Sequence, residues 1–219
     1  DEIVKRADIA MSAAKERGGD ALQFFDREMS DAVAARASLE RDLGAALVND
    51  ELILHYQRQV DCHGQPVGAE ALVRWQHPRQ GLLAPDRFIV LAEQIGMIVP
   101  LGSWVLQSAC AQLSEWRASP ATKDLTIAVN VSARQFYRDD FVEEVASALE
   151  RSAVDPRLLK LEITETLMLH DLADARNKVQ LLREIGVRGV SCKVEAAGCE
   201  LRASSCKPRA ASCELRVAS

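Results

Sequence analysis

The sequence predicts a parallel α/β architecture, and three observations carry the prediction. Short apolar runs of strand character alternate with helical stretches three times in succession. A polar residue falls toward the C-terminal end of each of three otherwise apolar runs, the end at which α/β barrels build their sites. Of the 219 residues, 48% are hydrophobic and 27% charged, enough apolar side chain for a sizeable core.

The elements follow in order. DIAMSAAKERG, from Asp8, places Ile9, Ala13 and Ala14 on one side and ends at Gly18, the pattern of a helix with a glycine stop. QFFD reads as a short strand. From 28 to 50, Val33, Leu39, Leu43 and Leu47 recur at helical spacing among many charges, the profile of a linker helix. LILHYQRQVD then alternates like a strand, CHGQP turns, and VGAEALVRW is a second strand, so the two form a hairpin. Pro85 opens a helix reaching Met97, and a second helix runs from about Leu101 to Trp116 with Trp104, Leu106 and Leu113 on its core face. LTIAVNVS is a strand, Asp139 to Ser152 a helix, LLKLEITE a strand, and Leu172 to Ile185 a helix closed by Gly186.

The net charge of −5 argues against a general binder of nucleic acid or anionic membranes, which needs a basic footprint. A small anionic ligand needs only one or two basic residues. No run approaches the roughly 18 apolar residues that span a bilayer, and DEIVKRADIA lacks the layout of a signal peptide, so a cytoplasmic protein is expected.

Strand side chains alternate between faces, so Glu70, Leu72 and Arg74 share one face of the first strand of the α/β units. Asn130 shares a face with Ala128 in the second, and Glu162 sits likewise in the third. Two carboxylates and an amide oxygen are hard donors suited to Mg²⁺ or Mn²⁺, and a guanidinium beside them suits a phosphate. Together they point to metal-assisted phosphoester chemistry. His55, His63, His77 and His170 show no ligand spacing, and Trp75, Trp104 and Trp116 read as core.

EALVRW at 70–75, NVSARQF at 130–136 and LEITE at 161–165, with LLAPDRFIVLAEQIGMI between the first two, resemble the first half of an EAL domain, the bacterial cyclic di-GMP phosphodiesterase. The resemblance covers about Glu51 to Arg188. It implies a (β/α)8 TIM-like barrel, incomplete in this chain, in which Glu70, Asn130 and Glu162 ligate divalent metal. Arg74 and Leu72 would meet the substrate, and Glu165 would support the active-site loop as a catalytic residue. The reaction implied is opening of one phosphodiester of cyclic di-GMP to give linear pGpG. Arg58 departs from the family, which often has Pro at that point. Upstream, ADIAMSAAKERGGDALQFF resembles the end of a GGDEF domain, although Gly18-Gly19-Asp20 follows a helix and no Glu-Phe follows it, so cyclase activity is not expected.

After IGVR the family would continue with a strand ending in DDFGTG and then a KIDRSF segment. This chain instead gives SCKVEAA, GCELRAS, SCKPRAA and SCELRVA from Ser191, with Cys192, Cys199, Cys206 and Cys213 seven residues apart. Translated tandem-repeat DNA ranks first as the reading. A short coiled coil, broken by Pro208, ranks second, and a metal or redox array third.

The expected organisation is a GGDEF remnant over 1–29, a linker helix over 30–50, half an EAL domain over 51–188 and a disordered tail over 189–219. Such a fragment is expected to be inactive, to meet cyclic di-GMP weakly, and to self-associate through exposed barrel edges. The alternative function is a non-catalytic cyclic di-GMP-binding or protein-interaction module. A non-functional gene remnant is the third possibility.

Overall fold

A computed structural model describes residues 2–16, 22, 24–164, 172–193 and 210–215. Two helices lead in, α1 (Glu2–Glu16) and α2 (Arg27–Ala46). No strand forms at Phe24–Asp26, where QFFD suggested one. Asp26 instead adopts an extended backbone and accepts the Met29 N–H at 2.8 Å, capping α2. The apolar pair Phe24 and Phe25 mimics a strand, but a carboxylate just ahead of a helical stretch is the stronger local signal.

β1 (Leu52–Val60) and β2 (Pro66–His77) form the expected antiparallel hairpin, with Leu52 opposite Trp75 and Gln57 opposite Glu70. β3 (Gly81–Leu83) folds back on the end of β2. The helix expected from Pro85 to Met97 is divided. Pro85–Arg87 is a 3-10 turn, and α3 occupies only Ile89–Gln94. Gly96, at φ 78°, ends this stretch in a left-handed conformation that suits glycine. α4 (Ile98–Trp116), β4 (Thr126–Val131), a short α5 (Ala133–Phe136), α6 (Phe141–Ser152), β5 (Leu159–Thr164), α7 (Leu172–Glu184), β6 (Gly189–Lys193) and β7 (Ala210–Leu215) complete the described chain.

The sheet order is β6-β5-β4-β2-β1-β7. β2, β4, β5 and β6 run parallel to one another, whereas β1 is antiparallel to β2 and β7, and β3 is antiparallel to β2. Among the described strands this is a mainly parallel α/β sheet in which β1 and the short β3 are reversed. The tail expected to be disordered over 189–219 therefore contains strand at 189–193 and 210–215. Residues 189–193 continue the parallel register of β5, and residues 210–215 meet the outer edge of β1, whose backbone groups are a template for pairing. The rest of the repeat, 194–209 and 216–219, lies outside the described residues.

Ala69, Ala71, Val73 and Trp75 of β2, Ile127, Val129 and Val131 of β4, and Leu159, Leu161 and Ile163 of β5 enter one core. They meet Leu101, Leu106 and Leu113 of α4 and Phe141, Val145 and Leu149 of α6. Burial of this set is the main favourable contribution to the fold, at about 25 cal/mol per Å² of apolar surface. Alternation then consigns Glu70, Leu72 and Arg74 to the opposite face of β2.

α2 is docked on this body. Its Leu39 and Leu43 are buried, while Val33 is exposed, contrary to the continuous stripe the spacing suggested. The apolar stripe outruns the surface available to cover it. Beside Leu39 and Leu43, His77 Nδ1 accepts the N–H groups of Arg79 (3.1 Å) and Gln80 (3.3 Å), leaving Nε2–H to donate to Asp42 at 3.2 Å. Arg79 also donates to Asp42 at 2.5 Å. Desolvation pushes the Asp42 carboxyl up, but Arg79, with help from His77 and Ser38, holds it below the usual carboxylate range.

Candidate active site

The site is built from the ends of three adjacent strands. Glu70, Leu72 and Arg74 are half-buried on the face of β2 turned away from the helices. β2 and β4 run in parallel with Glu70 level with Ala128, which carries Asn130 two residues further along the same face. Asn130 Nδ2 donates to Glu70 Oε1 at 2.8 Å, a contact across 60 residues of chain. Asn130 is level in turn with Glu162 on β5, and Glu162 with Ser191 on β6. Parallel neighbours at one level share a face, so Glu70, Asn130 and Glu162 form one polar cluster.

Arg74 lies four residues beyond Glu70, about 13 Å along an extended strand. Its Nη1 donates to the Val73 carbonyl at 3.0 Å. The cation and the carboxylates therefore address different parts of any molecule lying across the strand ends, with Leu72 between them. Glu165 lies outside the described residues.

Two residues on this face escaped the sequence reading. His55 and Gln57 of β1 stand opposite Leu72 and Glu70. Their two-residue spacing was visible, but pairing them with β2 requires the hairpin register, which an irregularity at Gln59/Val60 displaces. His77 is buried in the α2 contact and His63 sits in the exposed β1–β2 turn. His170 lies outside the described residues. Trp75 is fully buried, whereas Trp104 and Trp116 are partly buried against the core.

A cavity of about 340 Å³ opens beside the cluster, between the ends of β2 and β4 and helices α3 and α4. Leu72, Ile89, Glu93, Leu101, Asn130 and Gln135 are among its walls. A larger cavity, about 800 Å³, lies at the opposite ends of β4 and β5, where Arg117, Lys123, Asp155 and Arg157 line it. Part of its charge is already engaged within the lining: Arg157 binds Asp155 and Arg117 binds the Ala153 carbonyl. The strand-end cluster, with its convergent oxygen donors, is the better candidate.

Among the described residues no three of His, Cys, Asp or Glu gather as a cation site. The cluster offers two carboxylates and one amide oxygen. That donor set fits one hard divalent cation: its two negative charges balance the ion, and Mg²⁺ is commonly held by one or two carboxylates with substrate oxygens completing the shell.

A parallel α/β sheet with an oxygen-donor cluster on neighbouring strands defines the α/β-barrel class of scaffold. Residues 40–204 match the family model of the EAL domain, and the chain belongs to that family. It is 39% identical over 198 residues, 90% of its length and 28% of the relative's, to the bifunctional diguanylate cyclase/cyclic di-GMP phosphodiesterase MucR of Pseudomonas aeruginosa. It is 39% identical over 188 residues, 85% of its length and 24% of the relative's, to the cyclic di-GMP phosphodiesterase NbdA of the same organism. A solved structure of the PaMucR phosphodiesterase in complex with c-di-GMP superposes with a TM-score of 0.68 at 41% identity, covering 71% of this chain and 62% of that one. The chain spans less than a third of the length of these curated relatives. No described helix is long and apolar enough to cross a membrane.

Proposed function

We propose that this chain carries one wall of a cyclic di-GMP phosphodiesterase site, in which Glu70, Asn130 and Glu162 hold Mg²⁺ or Mn²⁺ and Arg74 receives a phosphate. The observation that supports this most is the Asn130–Glu70 hydrogen bond, with Asn130 level with Glu162 on the next strand. A bound cation would activate a water and stabilise charge on the phosphodiester oxygens. The residues prepare the place. Asn130 fixes the orientation of the Glu70 carboxylate, Leu72 offers an apolar surface that excludes water on one side, and the Arg74 guanidinium orients the phosphate. Glu165 as support for the neighbouring loop, and a GGDEF origin for residues 1–29, rest on the sequence resemblance alone.

The chain by itself is proposed to be inactive, because after Arg188 it reads GVSCKVEAAGC where the family pattern would bring a strand ending in DDFGTG, with its aspartate pair. The test is conversion of cyclic di-GMP to pGpG with Mg²⁺ or Mn²⁺, followed by chromatography. The chain should give none, and a complete second half grafted after Arg188 should restore turnover that Glu70→Ala abolishes. A folded graft without turnover refutes the site, and metal-dependent turnover by the chain itself refutes its inactivity.

The two-carboxylate cluster also favours a second reading, a non-catalytic cyclic di-GMP-binding or interaction module. Saturable calorimetric binding that Arg74→Ala weakens, without hydrolysis, would select it. Self-association through the terminal strands β6 and β7 belongs to the same proposal, and sedimentation velocity over a concentration series tests it.

A further inference from the structure

Lysines are seldom buried, because taking an ammonium out of water is costly unless each of its protons finds a partner. Lys178 of α7 is 6% exposed. Its Nζ donates to the carbonyls of Phe136 at 3.1 Å and Arg138 at 3.0 Å, and stands 3.2 Å from the Asp174 carboxylate one helical turn earlier. The ammonium also lies 5.9 Å and 5.7 Å from the ring centroids of Phe136 and Tyr137, within cation–π reach. Three donors meet three acceptors, and one carboxylate balances the charge.

What Lys178 grips is the segment that leaves Asn130. Ser132, two residues after Asn130, caps α5: its Oγ accepts the Gln135 N–H at 3.2 Å and its carbonyl accepts the Phe136 N–H at 3.0 Å. Phe136 is therefore one hydrogen-bonded turn from the end of β4. On its other side the segment is held by Arg134 Nη1, which donates to the Glu93 carbonyl at 2.5 Å. α7 is the helix that follows β5, the strand of Glu162. Lys178 thus joins the unit that carries Glu162 to the connection that departs from Asn130.

We propose that Lys178 is a positioning residue for the cluster at the strand ends, tethering the Phe136–Arg138 segment so that Asn130 keeps its amide on Glu70. This rests on reading that cluster as the site. It adds Lys178, which holds the Phe136 and Arg138 carbonyls, to the residues of the strands themselves. Removing such a support loosens the groups it holds even where they remain in place.

The test observes the Asn130 side chain directly. Lys178→Met keeps the apolar stem and removes every donor, whereas Lys178→Gln keeps a single amide on a shorter stem. Water exchange of the Asn130 Nδ2 protons, followed by magnetisation transfer in nitrogen-15 spectra, should quicken roughly tenfold in Lys178→Met and by less in Lys178→Gln. Backbone amides of Leu106 in α4 serve as the unchanged control. A lysine with only a structural role would lower the melting temperature and speed exchange at 136–138 while leaving the Asn130 signal alone. Asn130 exchange within about twofold of the parent in both variants, or in Lys178→Gln alone should the Met variant not fold, overturns the proposal. The readout needs neither metal nor nucleotide, so a failure of the phosphodiesterase reading leaves this outcome interpretable.

Discussion

Trp75→Phe should destabilise the protein by about 3 kcal/mol while leaving the fold intact. Trp75 is fully buried, meets Phe88 edge-on at 5.7 Å between ring centroids, and donates its indole N–H to Glu51 Oε2 at 2.9 Å. Phenylalanine retains one six-membered ring and removes three heavy atoms from a fully buried site. At about 0.8 kcal/mol per buried carbon this loses roughly 2 kcal/mol. The hydrogen bond adds about 1 kcal/mol, at the modest end because half-buried Glu51 can rehydrate. At about 2–4 °C per kcal/mol for a chain of this size, the melting temperature should fall by about 6–12 °C. Urea unfolding followed by far-ultraviolet circular dichroism measures the change, and a cycle with Glu51→Gln isolates the hydrogen-bond share. A loss below about 1 kcal/mol would refute the claim that Trp75 anchors the core face of the strand whose other face carries Arg74.

Gly102→Ala should cost about 1–3 kcal/mol, because a Cβ there would fall 2.2 Å from the side-chain oxygen of buried Gln135. Hydrogen exchange should quicken around Gln135 first, and an unchanged unfolding midpoint would count against the close approach of α4 to α5. The Asp155 carboxyl is held down at about 2 by hydrogen bonds from the Arg157 side chain and backbone. A depressed carboxylate stabilises above its unfolded value, about 3.9, and loses that contribution as pH falls through its folded value. Asp155→Asn should therefore be less stable than the parent near neutral pH and converge with it between about pH 4 and pH 2. Parallel pH–stability curves for the two proteins would contradict the Arg157 pairing.

Much of the framework was legible because it rests on periodicity. The alternation of β1 and β2, the apolar runs of β4 and β5 and the glycine after α7 are local signals, and Gly186 does adopt φ 102° at that helix end. Alternation also placed Glu70, Leu72 and Arg74 on one face before any pairing was known. What local pattern does not encode is pairing over distance. The bond from Asn130 to Glu70 depends on which residues of β2 and β4 stand level, and the approach of His55 and Gln57 depends on an irregular hairpin. Nothing local distinguishes Lys178 from a solvated helix charge, because the carbonyls of Phe136 and Arg138 that accept its protons lie about forty residues away. The strand at 210–215 shows the converse: a weak local sequence becomes strand where an open edge offers it backbone partners.

The reversal of β1 decides where the chain enters the barrel wall. In a run of uniform strand-helix units, a chain arrives at the rim opposite the site. Here Leu52 pairs with Trp75 and Ile53 with Arg74, and the Gln76 N–H donates to the Glu51 carbonyl at 2.7 Å. The doorway of the fold is thus at the same rim as its oxygen donors. A torque on α2, whose Asp42 is bonded to His77 three residues past Arg74, has one strand end to travel along before it meets that guanidinium, with no sheet to cross on the way.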